Sequence, residues 1–487
     1  MYKFSSGQIS FEDFGQPIGM KLNPENRWIQ KAQLIPWSEL ERRYAKLFTG
    51  FKGNVAKPFR LVLGSCIIKQ EYGYSDEELV LQIQEGPYLQ YFCGLPEYSD
   101  RRPFDPSLMV HFRKRLTPDI LKEINELILD NALNSEEDDT DNSPPNQGTL
   151  IVDSTCAPAA IRFPTDTALL NEARRNSEDI IDELHQPGEK KPRTYREVAH
   201  TAYLSFVRNR RPTKKSIRKC LRQQLGYLGR NLKTITAMME AGGVLSDKQM
   251  NRLSVITKVY EQQKQMYQNL TNRVDQRIVS ISQPHLRPIV RGKAQTPTEF
   301  GAKLDISVSD DYVRLETASF EPYNESTFLI QIIEGYRDRN GFYPQRVLAD
   351  KIYRNRENIM YCHQRGIRIS GPALGRPKKD TLPDKKQEYA DIIDRIEVER
   401  RFSLAKRKCG MGVLTTRLAQ TTLSSIAMSV VVMNLKKILL PIFITPFLQF
   451  RNFLEGISRQ KECLFSRLYI TDTYPRICKK SHGKLFL

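Results

Sequence analysis

Apolar residues recur at helical spacing through residues 1–133. In "YSDEELVLQIQEG", Ser75 is placed as an N-cap with Glu78 three residues on, the pattern of a capping box. Leu79, Leu81 and Ile83 then supply apolar contacts. "DPSLMVHFRKRLTPDILKEINELI" sets Leu108, Phe112 and Leu116 on one stripe, with Arg113, Lys114 and Arg115 around it. "NSEEDDTDNSPPNQG", residues 134–148, is acidic, polar and proline-bearing, and reads as a flexible linker. Directly after it, Leu150, Ile151 and Val152 form a short buried-strand run that ends on Asp153. Residues 168–275 return to helix. From Pro284 the pattern turns to strands, in "HLRPIVRGK", "FGAKLDISVSDDYVRLETASF" and "QRVLADKIY". Helix resumes from about Gln387 to Arg407, and an apolar helix follows around residues 418–440. The alternation predicts a mixed α/β (α+β) fold. A helical N-terminal domain over 1–133 precedes a strand-bearing core over 149–440, which carries a helical insertion at about 168–275.

Composition changes this picture mainly through charge. The chain has 487 residues, enough for two or three domains, and 40% hydrophobic content suits a folded protein. Its net charge is +19, which calls for an acidic partner. The excess is local. Ser205 to Ile235 holds ten Lys or Arg and no Asp or Glu, a one-sign run that favours phosphate contact over a plain solvated face. The apolar stretch from Ile426 to Phe450 is broken by Asn434, Lys436, Lys437, Pro441 and Pro446, so no membrane span is expected. The N-terminus lacks the pattern of a signal peptide. The eight cysteines include no CxxC pair, which argues against zinc and disulfide frameworks and fits a reducing cytoplasm.

Three acids stand out as candidate chemistry. Asp153 and Asp350 each end an apolar strand-like run, where a carboxylate is costly unless paired or bound to metal. Glu399 lies in "DRIEVERRFSLAKRKCG", among six Lys or Arg. Arg395, Glu399, Phe402 and Lys406 are four, three and four residues apart and share one helical face. Glu397 points away and is expected in an exposed ion pair. Ile392, Ile396 and Val398 are expected to pin the helix. Such a carboxylate faces a phosphate only with a hard cation between them. Mg²⁺ takes oxygen ligands from one or two carboxylates plus substrate phosphate. Six histidines, none in a paired motif, offer little for triad or zinc chemistry.

"LIVDST", "RGKAQTPTEFGAKLDIS", "VLADKIYRNREN" and "RIEVERRFSLAKRKCGMG" together resemble the DDE-type transposases of bacterial insertion sequences. "SDEELVLQIQEGPYLQYFCGL" and "DPSLMVHFRKRL" resemble the amino-terminal helical domain of that group, which implies DNA binding by residues 1–133. The resemblance runs from about residue 20 to 440. It implies a ribonuclease H-like catalytic core, with the first Asp on the first strand, the second just after the fourth, and the Glu on a later helix. Asp153, Asp350 and Glu399 take those places as catalytic residues and metal ligands for Mg²⁺, with Mn²⁺ able to substitute. The family's Arg-x₃-Glu-x₆-Lys helix pattern fits Arg395, Glu399 and Lys406; centred on Glu397 it meets Ile393 and Leu404 instead. Arg291, Lys293, Lys303, Tyr353 and Arg354 resemble DNA contacts, beside Arg395 and Lys406. The implied partners are double-stranded DNA, at element ends and at the target, and a second copy of the chain when two ends are paired. The implied setting is the bacterial cytoplasm, at the nucleoid. Two other readings stay open at this point: a catalytically inactive or repurposed DNA-binding protein, and a nuclease of the same fold that cuts without joining. Residues 441–487 resemble nothing in the family.

Overall fold

The computed structural model describes residues 14–15, 21–48, 55–133, 146–188, 190–290, 298–371 and 385–439. The 134–145 part of the linker and the tail from 440 lie outside them. Residues 1–435 form one compact unit.

The first seven helices are α1 (Arg27–Leu34), α2 (Trp37–Ala45), α3 (Phe59–Tyr72), α4 (Asp76–Glu85), α5 (Pro87–Phe92), α6 (Leu108–Arg115) and α7 (Pro118–Leu133). Ser75 caps α4 as predicted, its hydroxyl accepting from the Glu78 amide at 3.0 Å. The predicted apolar stripe holds at Phe112 and Leu116, which are buried, but its first member is Met109, since Leu108 is only half-buried. Arg113 is not a loose cation: it grips Asp76 through two hydrogen bonds of 2.8 and 2.9 Å.

The sheet holds β1 (Thr149–Pro158), β2 (Arg287–Val290), β3 (Thr298–Ser309), β4 (Tyr312–Ser319), β5 (Arg346–Ala349) and β6 (Arg368–Ile369). Its order is β2-β3-β1-β5-β6, with β4 also paired to β3. β1 lies antiparallel to β3 and parallel to β5, so the sheet is mixed. Gly301 is required where β3 meets the end of β1, since a side chain there would strike the Ala157 carbonyl. Asp310 and Asp311, both at positive φ, make the tight β3–β4 turn.

Two helices that the strand reading passed over lie between the later strands: α12 (Leu329–Asn340) and α13 (Arg356–Gln364). Leu329, Ile332, Ile333 and Tyr336 are spaced for one helical face and pack against Leu150 and Val152 of β1. Between β1 and β2 come α8 (Asp166–Leu184), α9 (Arg196–Arg208), α10 (Lys214–Glu240) and α11 (Asp247–Gln268). Leu170, Ile181, Leu228 and Ile256 belong to their shared core. The predicted helical segment 168–275 matches this run.

The last two helices are α14 (Lys385–Lys408) and α15 (Ala419–Leu439). α15 is long and apolar enough to cross a membrane, but most of it is buried inside the protein. Its Asn434, read from sequence as an interruption, is an edge cap. The Asn434 amide accepts from the Val313 N–H at 3.0 Å and donates to the Val313 carbonyl at 2.7 Å and to Asn125 of α7 at 2.8 Å. Lys122 of α7 donates to the Glu316 carbonyl at 2.7 Å. Together these groups satisfy the Val313 N–H and carbonyl and the Glu316 carbonyl on the outer side of β4, an edge that would otherwise invite pairing with another chain.

Asn434→Leu keeps the branched shape of the side chain and orphans the Val313 N–H in the interior. A loss of about 2–4 kcal/mol in unfolding free energy is expected from urea titration, with some gain in aggregation.

Candidate active site

Asp153 lies in the middle of β1. The expectation that the strand ends there is corrected, because pairing with β3 continues from Ile151 through Pro158 and Ser154 to Ala157 stay buried. The parallel ladder with β5 stops at Val152↔Ala349, and the next residues on the two strands are Asp153 and Asp350. The backbone therefore brings Asp153 of β1 and Asp350, the residue just after β5, to the same level on neighbouring chain segments. The Asp153 carboxylate accepts from the Ser154 N–H at 2.8 Å, and that of Asp350 from the Lys351 N–H at 2.7 Å.

Strand alternation turns Leu150 and Val152 toward α12 and leaves Ile151, Asp153 and Thr155 on the opposite face. That face takes α14, held at three points. Near its start, Asp391 is 5% exposed and accepts two bonds from Arg368 of β6, at 2.6 and 2.7 Å. Arg346 of β5 adds a contact to Asp391 at 3.4 Å and pairs with Asp394 at 2.7 Å. The Arg368 guanidinium holds the Asp391 carboxyl below its usual range despite burial. Midway, Arg395 pairs with Asp350 at 3.4 Å. Near the end, Lys406 donates to the Thr155 hydroxyl at 3.1 Å.

Glu399 lies between the second and third anchors. It is exposed and makes no hydrogen bond or ion pair among the described residues. Glu397 pairs with Arg401 at 2.6 Å and Arg400 at 3.4 Å; the pair is half-buried rather than exposed, because Arg401 packs inward. The packed face is Asp391, Val398, Arg401 and Ala405. Of the three apolar residues expected to pin the helix, only Val398 does. Ile392 is 59% exposed and Ile396 38%, since the buried Asp391 fixes the rotation of the helix one residue earlier.

Among the described residues, no three His, Cys, Asp or Glu side chains form a group able to hold a metal ion. Two carboxylates with a substrate phosphate suffice for Mg²⁺, and Asp153 and Asp350 fit such a cation in donor type, at neighbouring backbone positions.

The remaining predicted DNA contacts lie elsewhere. Lys303 is mostly buried, ion-paired to Glu325 and bonded to the Tyr323 carbonyl at 2.8 Å, so its charge is met inside the fold. The Tyr353 ring is fully buried in the α12 core. Arg354 donates to the carbonyls of Ile369 and Ser370, at 2.9 and 2.6 Å, and ties down the end of β6. Arg291 and Lys293 fall outside the described residues.

Sequence reasoning missed Asp391, Arg346 and Arg368, and also Asp305 of β3. Asp305 is fully buried beside Ser154 of β1, and neither of its oxygens completes a hydrogen bond. Burial pushes its carboxyl up to about 7; Tyr323 and Lys303 offset part of this, while Glu325 and Asp153 add to it. Folded Asp305 thus holds its proton more tightly than the unfolded chain, whose value is near 3.8. The associated stability is complete below pH 3.8 and is lost as pH rises to about 7. Asp305→Asn should flatten this slope. It should stabilise the protein by roughly 2–4 kcal/mol at pH 8 and far less at pH 4, read from urea titrations at both pH values.

Comparison with known proteins finds two matching family models. A family model described as "Transposase DDE domain" matches residues 347–436, from β5 through α14 into α15. One described as "Transposase domain (DUF772)" matches residues 17–115. The "Uncharacterized protein ORF8 in nfe locus" of Rhizobium meliloti is 34% identical over 155 residues, which are 31% of this chain and 71% of that protein. No solved structure matches the chain. The chain belongs to the DDE-type transposases of insertion sequences, a family of enzymes that act on DNA.

Proposed function

We propose that the protein binds the terminal inverted repeats of its element, cuts the DNA there and joins the freed 3′-hydroxyls to target DNA. The observation that carries this reading is the adjacency of Asp153 and Asp350, crossed by the helix that bears Glu399. The strand pairing agrees with a ribonuclease H-like core, with one addition. The short β2 comes before β3, so Asp350 follows the fifth strand in chain order rather than the fourth.

Asp153 and Asp350, with Glu399 as third carboxylate, would hold Mg²⁺, or Mn²⁺ in its place, which would activate a water or a 3′-hydroxyl and stabilise the leaving oxygen. The chain's own residues position the DNA. Arg395 neutralises Asp350 in the free protein and turns to a phosphate when DNA enters. Lys406 holds the second strand contact and adds positive charge beside Asp153. Glu399, exposed on α14, would supply the third carboxylate from the helix that crosses the pair. Residues 1–133 form a DNA-binding module and the 168–275 helices an insertion within the core. Two copies pair two element ends, in the bacterial cytoplasm. Lys303 braces the segment before α12 through Glu325, and Tyr353 and Arg354 hold the segment after Asp350, rather than touch DNA.

A nicking assay on end-labelled element DNA in Mg²⁺ tests the assignment. Asp153→Ala, Asp350→Ala and Glu399→Ala should each abolish cleavage and leave end binding intact. Full-rate cutting by Glu399→Ala would remove Glu399 from the site. A cut product without a joined one would make the enzyme a nuclease.

A further inference from the structure

Beyond the end of β1 lies a groove of about 1180 Å³, bounded by the start of α8, by α9, by the α9–α10 connection and by β2 and β3. Its apolar lining is open to solvent. Phe163 is 67% exposed, Val290 78%, Val207 45% and Ile217 36%. Phe163 stands edge-on to Phe300 at 5.5 Å, which leaves its outer face available. The charges around it are one-sided. Arg162 and Arg273 line the groove and are exposed. Asp166, the acid in the lining, is ion-paired to Arg277 at 2.5 Å and accepts a hydrogen bond from Gln263 at 2.8 Å. The α9–α10 connection that closes one side carries Arg210 and Arg211, followed by Lys214 and Lys215 on α10, all exposed.

An open aromatic floor with cationic walls is the surface that binds unpaired nucleic acid. Bases stack on rings through their faces, and the backbone follows the positive rim. A duplex satisfies only half of this surface, because it hides its base faces and meets a protein with phosphates. An apolar peptide would leave the arginines without counter-charge. The position fits as well. Pro158 ends the strand that carries Asp153, and five residues of strand span about 17 Å. Arg162 and Phe163 follow directly.

We infer that this groove holds a short unpaired stretch of DNA, a few nucleotides from the phosphate to be cut. The inference rests on the proposed reading of Asp153 as part of the cleavage site, but the binding itself is measured without cleavage. Fluorescence anisotropy with a short labelled oligothymidine, and with a blunt duplex of unrelated sequence, separates the two kinds of DNA. Phe163→Ala should weaken oligothymidine binding about tenfold and leave duplex binding unchanged, while Phe163→Trp should keep both. Arg162→Ala or Arg273→Ala should lower the salt dependence of oligothymidine binding by a little under one unit of log–log slope. Because these side chains are exposed, circular dichroism should show all four variants folded. Equal oligothymidine binding by wild type and Phe163→Ala, or no binding by wild type, overturns the inference. Phe163-dependent binding in a protein that fails to cut element ends would sink the cleavage reading and leave the groove's role standing.

Discussion

The arrangement of the site depends on one buried carboxylate. Asp391 is almost fully enclosed, and an ionised acid so placed is stable only when opposite charge and hydrogen bonds surround it. Arg368 supplies a two-bond fork from β6 and Arg346 a further contact from β5. The fork fixes direction as well as distance. It sets the rotation of α14 two turns before Glu399 and decides which side of the helix meets the sheet. With Asp391 inward, Arg395 reaches Asp350 and Lys406 reaches Thr155. Glu399, between them, is left outside the packed face with its carboxylate uncommitted among the described residues.

The sheet supplies the other half of the geometry. β1 is central, antiparallel to β3 on one side and parallel to β5 on the other. On the parallel side, β5 ends at the level of the middle of β1, and there the positions of Asp153 and Asp350 are neighbours. The outer edge at β4 is closed by Asn125, Lys122 and Asn434, from helices at opposite ends of the sequence. The N-terminal helices and α15 thus guard the sheet that carries the acids.

Much of this was legible in the sequence because it is local. The Ser75 cap, the helical run over 168–275 and the face shared by Arg395, Glu399 and Lys406 follow from spacing alone. The readings that failed are those set by distant partners. Ile392 and Ile396 have a helix-core pattern, but the Arg368–Asp391 pair, 23 residues apart, rotates them outward. Asp153 seemed to end its strand because a polar residue usually does, yet β3 pairs well past it. Asn434 looked like a break in an apolar run and is its most specific contact. The Leu329–Tyr336 spacing of α12 is helical, but the segment is short and lies between apolar strand runs, where local pattern does not separate the two.

The docking of α14 through Asp391 sets where Glu399 stands relative to Asp153 and Asp350, the three carboxylates proposed as metal ligands. Single-turnover cleavage of element-end DNA by Asp391→Ala, followed against Mn²⁺ concentration, tests it most directly, because that change removes no proposed ligand. The account predicts that the Mn²⁺ needed for half-maximal cleavage rises by about tenfold or more, with end binding unchanged. A folded Asp391→Ala protein that cleaves like wild type at every Mn²⁺ concentration would contradict it.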